Sequence, residues 1–561
     1  MPLLFHNAKV YLEKEKFSQA LLVEGDAICG AGTLEEMTTL AVSLGGAEKI
    51  DCRRGLLLPG FHDSHLHLRH FGSRVQEIDL RGVSSIDGLI EKARSDLKRI
   101  APEAGALVHG GGWNQEDFHE ISGTVPWANY PMRFDLDRIS REHPIILERI
   151  CGHTLCCNTK ALEKAEEAGL GALFSGKGVE RDGAGKPLGI FHEKAAFELS
   201  RALLPPLDAA RARSQIEYGL RQAAASGITS IDSNDIFDDN WDLIRGAYLE
   251  VLREGKLRVR VSLQCGLSKK PILDEFSRRG WLSGETLGHP LLKMGALKLF
   301  ADGTLGSRTA WLERPYSDDP ASRGLRAMSG PAMEAAVRDG DERGFQLIIH
   351  AIGDAAADET LRCLETVTSP GRNPLRHGLV HCEVMNESLI DRMARNRLTA
   401  FLQPAFLTHD IFFAESRLGR ERARYFLPFA SMLRRGISAG FGTDCPVEPL
   451  NPLLGIACAV LRRPAVQEPR LPDSPPAQSF FPEEALDCYA AVDAYTQGSA
   501  AVTGEGERLG RIAPGYKADL VLLDRDIFAL PPEKIPGAKV LFSMTGGELE
   551  FCVSQASLLR P

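Results

Sequence analysis

The sequence predicts an α/β protein built on a (β/α)8 barrel of the TIM type, and two observations support this fold class. Between residues 56 and 504, short apolar segments alternate with segments of helical periodicity such as IDGLIEKARSDLKRI. Several apolar segments end in histidine or another polar residue, at the strand ends where barrel enzymes carry functional groups. The eight predicted strands are residues 56–65, 227–232, 260–265, 293–300, 345–350, 377–382, 398–403 and 437–444.

Both ends of the chain predict β structure outside the barrel. The first 55 residues alternate apolar runs with turn residues, and the same texture returns in GRIAPGYKADLVLLD and KVLFSMTGGELEFCV. We expect residues 1–55 and 505–561 to form one small composite β-sandwich, with the barrel at 56–504 between them. A long segment at about 70–200 separates the first two predicted strands, and we interpret it as an insertion that covers the barrel mouth.

Size and charge favour a small-molecule substrate. The chain has 561 residues, which is too many for one small core. Its formal net charge of -9 argues against a nucleic-acid partner, because such proteins need a basic face. The sequence shows neither a secretory signal nor a run of roughly 18 apolar residues that could span a membrane. We therefore expect a cytoplasmic enzyme with no nucleic-acid or membrane partner.

The strongest local motif is PGFHDSHLH at residues 59–67. His65 and His67 are two positions apart at the end of an apolar strand, so their side chains face the same side. Two imidazoles that point together into the barrel suit the chelation of a divalent ion. An isolated HxH pair is more often two exposed histidines at a strand end, but the surrounding residues favour a metal site.

This motif resembles the start of the barrel in the amidohydrolase superfamily, which reads PGxxDxHxH. The resemblance implies further metal ligands at later strand ends, where this chain has Lys298, His350, His381 and Asp444. It also implies that Lys298 is carboxylated by carbon dioxide and bridges two metal ions. A lysine inside an apolar strand is unfavourable unless its charge is altered or paired, which agrees with that role. By the same resemblance, Asp444 binds metal and handles the proton of the attacking water.

A narrower resemblance covers nearly the whole chain and is to the YtcJ-like group, also called amidohydrolase family 3, which includes N-substituted formamide deformylases. It rests on the segments KLFADGTLGSRTAWL, HAIGDAA, TDCPVEPLNPL and PGYKADLVLLD. The chain departs from the group at two positions. Val380 stands where a glutamate usually precedes the strand-six histidine, and His62 replaces an apolar residue. We expect the second change to place a polar group near the metals.

Five residues are candidates for binding the substrate, because each lies in a Gly-rich or strand-end segment expected near the barrel mouth. They are Trp113, His153, Asp302, Arg308 and Gln403. Each also has a structural interpretation. Trp113 could be a core aromatic residue and His153 a structural histidine, while Asp302 and Arg308 could form a surface ion pair and Gln403 a strand-end hydrogen bond.

The predicted activity is metal-dependent hydrolysis of an amide-type, non-peptide carbon–nitrogen bond in a small molecule. Imidazole and carboxylate ligands favour zinc, and the same set accepts manganese, iron or cobalt. One alternative is a deaminase or mononuclear amidohydrolase in which Lys298 stays a free amine, and another is a barrel that has lost catalysis. The sequence leaves open the substrate, the number of metal ions and the oligomeric state, although a homodimer is common in enzymes built this way.

Overall fold

The computed structural model describes residues 1–113, 115, 118, 130–149, 154–204, 206–465 and 478–553. The described residues divide into two compact units. One unit consists of residues 1–69 and the residues from 212 onward, and the other consists of residues 70–211. Within the described ranges, no helix has both the length and the apolar character that crossing a membrane requires.

The first sixty residues form mainly short strands with alternating apolar side chains. These elements are β1 (Leu3–His6), β2 (Lys9–Glu13), β3 (Lys16–Ser18), β4 (Ala20–Glu24), β5 (Ala27–Gly32), α1 (Leu34–Ser43), β6 (Glu48–Asp51) and β7 (Leu56–Pro59). Strands β5, β4, β1 and β6 are hydrogen-bonded in that order. Helix α1 begins after Thr33, whose side chain accepts the N–H of Glu36, while the Glu36 carboxylate accepts the N–H of Thr33. This reciprocal pair is a capping box.

The predicted first barrel strand, residues 56–65, is two strands in different sheets. Strand β7 ends at Pro59 and belongs to a terminal sheet, whereas β8 (Phe61–Leu66) begins the barrel and is followed by α2 (Leu68–Ser73). Gly60 lies between them, and a Cβ there would be 2.1 Å from Thr229 Oγ1, so only glycine fits. The prediction of one continuous strand is wrong. Apolar residues continue on both sides of Gly60, so the sequence does not show where the chain passes from the terminal sheet to the barrel.

The 70–211 unit has its own sheet and core. Its elements are β9 (Ile78–Asp79), α3 (Ile86–Ile100), β10 (Val108–Trp113), α4 (Arg133–Asp137), β11 (Ile145–Arg149), β12 (Thr154–Cys157), α5 (Thr159–Glu167), β13 (Val179–Arg181), β14 (Pro187–His192) and α6 (Glu193–Leu203). The strands pair in the order β13, β14, β12, β11, β10, β9. Successive residues of β12 face opposite sides, so Cys156 packs in the cluster of Trp113 and Cys157 in the cluster of Phe191. Both cysteines are core residues of this unit.

From residue 209 onward, helices and parallel strands alternate. The elements are α7 (Ala209–Ala225), β15 (Ile228–Phe237), α8 (Trp241–Arg253), β16 (Arg260–Gly266), α9 (Lys270–Arg279), β17 (Thr286–His289), β18 (Leu292–Phe300), α10 (Gly330–Glu342), β19 (Leu347–Ala351), α11 (Asp354–Leu364), β20 (Gly378–His381), α12 (Glu387–Arg395), β21 (Thr399–Leu402), α13 (Ile411–Leu418), α14 (Arg420–Ala423), α15 (Phe429–Arg434), β22 (Ala439–Phe441), α16 (Pro452–Leu461), α17 (Cys488–Asp493) and α18 (Ser499–Val502). Strands β8, β15, β16, β18, β19, β20, β21 and β22 follow one another in a parallel sheet, and β17 pairs with β18 at its side. The prediction of a TIM-type barrel is confirmed.

The barrel closes where the chain after β22 meets the end of β8. The N–H of Asp444 donates to the carbonyl oxygen of His65 at 2.8 Å. Thr443 donates its N–H and its hydroxyl to the Asp63 carboxylate, at 3.0 and 2.6 Å. Gly442 allows this close approach, because a Cβ at that position would lie 2.7 Å from the backbone nitrogen of His65.

The end of the chain returns to the terminal sheet of β7. The last elements are β23 (Leu520–Leu523), β24 (Val540–Thr545) and β25 (Glu548–Cys552), and shorter 3₁₀ or π turns along the chain are Arg74–Gln76, Gly171–Ser175, Pro404–Thr408, Pro482–Glu484, Ala494–Gly498 and Pro532–Gly537. Strands β25, β24, β23, β7, β2 and β3 pair in that order, so both ends of the chain share one sheet. Phe5 and Leu21 of the four-stranded sheet lie in one apolar cluster with Leu522 and Phe542. That the two sheets form a single β-sandwich stays a prediction.

We expect Gly442→Ala to lower the midpoint of thermal unfolding. The added Cβ would lie 2.7 Å from the backbone nitrogen of His65 and 2.9 Å from Asp63 Oδ1. The two strand ends must therefore move apart to accommodate it. Overpacking of this kind costs about 1–3 kcal/mol. Scanning fluorimetry measures the shift against Gly246→Ala in α8, where a Cβ meets nothing within 4 Å. That control should be neutral or stabilising by up to about 1 kcal/mol, and equal midpoints for the two variants would contradict the expectation.

Candidate metal centre

Two imidazoles and one carboxylate converge at the barrel closure. Nε2 of His65 lies 3.6 Å from Asp444 Oδ1, and Nε2 of His67 lies 3.4 Å from the same oxygen. His65 lies in strand β8, His67 directly follows it, and Asp444 follows strand β22, so the first and last barrel strands both contribute. One ligand atom from each residue lies within 4.8 Å of the other two, which is the geometry of a metal site.

The surroundings of Asp444 fit a divalent cation. The residue is 6% exposed, and among the described residues its Oδ1 has no hydrogen-bond partner. A buried carboxylate oxygen without a donor is unfavourable. Because the facing nitrogens of His65 and His67 can present lone pairs, a cation bound between the three groups satisfies all of them.

Hydrogen bonds on the far side of each ring orient the two histidines of β8. His65 Nδ1 lies 2.6 Å from Gln264 Oε1, and His67 Nδ1 lies 3.1 Å from the Asn234 carbonyl oxygen. Both oxygens are acceptors, so each Nδ1 carries the proton and each Nε2 keeps its lone pair. The tautomer that can bind metal is therefore selected by the protein itself.

His350 in β19 and His381 at the end of β20 are on the fifth and sixth barrel strands. They lie next to each other, with ring centroids 4.5 Å apart. His381 donates its Nδ1–H to Gln403 Oε1 at 2.9 Å, which leaves Nε2 as its ligand atom. His350 donates Nε2–H to the Gly303 carbonyl oxygen at 3.0 Å, which leaves Nδ1. Burial, together with the charge of Lys298, lowers the pKa of His350 to about 4. It is therefore neutral at pH 7, as a metal ligand must be.

The structure brings Lys298 to the same centre. The side chain is buried, and its Nζ lies 3.2 Å from His65 Nε2. Burial lowers the pKa of Lys298 to about 7, even though the Asp444 charge acts in the opposite direction. A large fraction of the amine is therefore uncharged at neutral pH.

Asp444 is held as a carboxylate. Burial raises its pKa, but its interactions with His67, His65 and His381 lower it by more, and the resulting pKa is well below the usual range. Asp444 and His381 also have left-handed backbones, with φ of 54° and 77°. This conformation is uncommon for residues other than glycine.

Two of the five predicted substrate-binding residues, Trp113 and Gln403, are fully buried among the described residues. Trp113 is fully buried in the core of the 70–211 unit, and its Nε1–H donates to the Leu147 carbonyl oxygen at 3.2 Å. Gln403 orients His381 through the hydrogen bond given above. His153 lies outside the described residues.

Asp302 and Arg308 do not pair with each other. The Asp302 carboxylate accepts three backbone N–H groups and lies 3.4 Å from His350 Nε2. Arg308 forms a surface ion pair with Asp318 at 2.9 Å. Asp302 is therefore next to a proposed metal ligand, and Arg308 shares the Asp318 carboxylate with Arg417.

Gln264 and Asn234 were not predicted, although both orient ligands. Gln264 had a detectable signal, because it is a polar residue inside the apolar strand RVSLQC, as Lys298 is inside its own strand. Asn234 had none, because it acts through its backbone carbonyl group.

His62 does not lie among the proposed ligands. This corrects the expectation that His62, which replaces an apolar residue of the group, places a polar group near the metals. Its Nε2 is 2.6 Å from Asp232 Oδ2, and both residues are buried. The pair lines a separate cavity with Ser230 and Ser262, and none of the six proposed metal ligands lines that cavity.

A TIM-type barrel with candidate metal ligands at the carboxyl ends of its strands is an architecture found in metal-dependent hydrolases. Residues 48–549 match the family model described as the amidohydrolase family, and the chain belongs to that family. It is therefore a hydrolase that acts on carbon–nitrogen bonds.

Known relatives match along almost the whole chain. YtcJ of Bacillus subtilis (strain 168) is 30% identical over 554 residues, which cover 98% of this chain and 99% of YtcJ. The N-substituted formamide deformylase of Arthrobacter pascens is 24% identical over 558 residues, 97% of each chain. Among solved structures, an uncharacterized metal-dependent hydrolase from Pyrococcus horikoshii OT3 superposes with a TM-score of 0.75 and 26% identity, covering 95% of this chain and 99% of that one.

We expect Gln403→Ala to weaken divalent-metal binding by about 10–100-fold, as is typical when a partner that orients a ligand is lost. The substitution removes the acceptor for His381 Nδ1–H, so the ring can rotate and change tautomer. Competition with a coloured chelator measures the affinity. Gln222→Ala in α7, outside the centre, is the matched control, and unchanged affinity in Gln403→Ala would refute the role of this amide.

Proposed function

We propose that the protein hydrolyses an amide-type, non-peptide carbon–nitrogen bond of a small molecule. The observation that carries this proposal is the convergence of His65, His67 and Lys298 with the Asp444 carboxylate at the end of the barrel where TIM-type enzymes place their active sites. The match to the deformylase of Arthrobacter pascens, which is named for an N-substituted formamide, supports an amide substrate. Cytoplasmic action, without a nucleic-acid or membrane partner, is part of the same proposal.

The residues of the centre divide into two ligand groups. His65, His67 and Asp444 would hold one divalent ion, and His350 and His381 a second. When bound, such ions lower the pKa of water and polarise a carbonyl group. Zinc is the metal we propose, because imidazole nitrogen and carboxylate oxygen are its usual ligands.

Asp444 is the proton carrier in this proposal. It is ionised at neutral pH and buried, and among the described residues its Oδ1 has no hydrogen-bond partner. It can therefore accept a proton from the attacking water and return it to the leaving nitrogen. The leaving group then departs as a neutral amine.

Lys298 is proposed to join the two ligand groups after carboxylation. Its uncharged Nζ forms a bond to the carbon of carbon dioxide and loses one proton, which gives an anionic carbamate. The lowered pKa supplies the uncharged amine, and burial protects the product from water. A protonated ammonium 3.2 Å from His65 Nε2 would instead repel a cation.

We expect Asp444→Asn to lower kcat for amide hydrolysis by about 10²–10⁴-fold, the usual contribution of a general acid–base. The amide keeps the shape of the side chain but cannot carry the proton. Because Asp444 also faces the proposed ligands, metal content is measured for each variant, and rates are expressed per metal-loaded chain. The control is Asp242→Asn on the exposed start of α8. A fully active, metal-loaded Asp444→Asn enzyme would exclude the proposed role.

We expect isotopically labelled bicarbonate to give a carbamate carbon signal in the NMR spectrum of the wild-type protein and none in Lys298→Ala. The same samples, analysed for metal, should show two ions per wild-type chain and a loss of metal in the variant. One ion per chain, with no carbamate signal, would favour the mononuclear alternative with a free lysine. Absence of both metal and amide hydrolysis would favour the inactive barrel.

A further inference from the structure

Phe300 is a partly exposed aromatic residue at the end of a strand that carries a proposed ligand. It is the last residue of β18, two positions after Lys298, so both side chains face the barrel interior. The Phe300 ring is nevertheless 39% exposed, because it stands at the open end of the strand. The ring therefore lies between the buried amine and the solvent.

The contacts of Phe300 connect it directly to the metal centre. Its ring centroid is 5.2 Å from Lys298 Nζ and 5.6 Å from the ring centroid of His350. A second aromatic ring, that of Phe406, stacks on His381 at 5.7 Å with an interplanar angle of 15°. Aromatic rings thus contact His350 and His381, whereas His65 and His67 face the charged Asp444 carboxylate.

Two further apolar side chains are exposed in segments that follow barrel strands. Phe412 lies in α13, after β21, and is 36% exposed, and Val447 follows β22 and is 60% exposed. Loops at the carboxyl ends of the strands form the active-site end of a TIM-type barrel. Exposed apolar side chains thus lie at or after the ends of three barrel strands.

The charged residues predicted to bind substrate are already paired. Arg308 and Arg417 share the Asp318 carboxylate, and Arg308 Nη2 lies 2.9 Å from Asp318 Oδ2. Asp302 accepts three backbone N–H groups. Both charged side chains therefore already have partners within the protein.

We propose that Phe300 determines substrate specificity by packing against an apolar substituent, aliphatic or aromatic, of the amide that is hydrolysed. This inference rests on the proposed function, because it places the scissile bond at Asp444. An apolar substituent that covers the Phe300 ring removes both surfaces from water, and this contact strengthens as the substituent grows. The preferred substrates are therefore neutral amides with a bulky apolar group, not amides of charged compounds.

The test uses metal-loaded wild-type protein, Phe300→Ala, Phe300→Leu and the control Leu34→Ala, whose side chain is similarly exposed, at 42%, on α1. Each enzyme is assayed with amides that carry methyl, butyl, benzyl or carboxymethyl groups, placed on nitrogen in one series and on the acyl carbon in another. We expect the wild-type kcat/KM to rise at least tenfold from methyl to benzyl in one series and to be lowest for carboxymethyl. Phe300→Ala should lose most of that rise, chiefly through a higher KM for the benzyl amide.

Phe300→Leu should keep most of the preference, because it retains an apolar side chain, and Leu34→Ala should match the wild type. Equal losses for methyl and benzyl amides in Phe300→Ala would show a purely structural role and overturn the inference. A wild-type preference for the carboxymethyl amide would overturn it as well. If the wild-type protein hydrolyses no amide in either series, the proposed function fails, and that failure is distinct from a change in preference.

Discussion

The closure of the barrel between its last and first strands is the constraint on which the metal centre depends. The backbone of Asp444 is hydrogen-bonded to His65, and the Asp63 carboxylate takes two hydrogen bonds from Thr443. These contacts place a carboxylate from the end of the barrel beside two imidazoles from its start. A cation bound there would contact both sides of the closure, so its binding would favour the folded barrel over any open form.

The two glutamines beside the histidines are tolerated in the interior because each one is hydrogen-bonded to an imidazole ring. Gln264, in the middle of an apolar strand, bonds both His65 Nδ1 and the Ser64 carbonyl oxygen. Gln403, which directly follows β21, accepts the Nδ1–H of His381. Burying an amide without partners is costly, so these residues remain only where a ring needs orientation. The hydrogen-bond requirements of the interior and the geometry of the centre are therefore met by the same side chains.

The barrel and the ligand positions were predictable because each depends on a local pattern. Strand alternation and a histidine or aspartate at the strand end are visible within ten residues of sequence, as at His350. The break at Gly60 was not predictable, because its cause is Thr229, which lies far along the chain. The burial of Trp113 was also not predictable from the local sequence, because the residues around it belong to several elements of its unit. Which interpretation of a residue holds was decided by partners distant in sequence.

The histidine-orienting side chains Gln264 and Gln403 are neutral amides. A carboxylate in either place would draw the Nδ1 proton toward itself and make the opposite nitrogen a stronger electron donor. An amide oxygen withdraws far less, so His65 and His381 remain modest donors. A cation held by such ligands keeps more of its own positive charge and is the stronger Lewis acid. The donor strength of these two imidazoles is thus set outside the ligands, by glutamine at two positions.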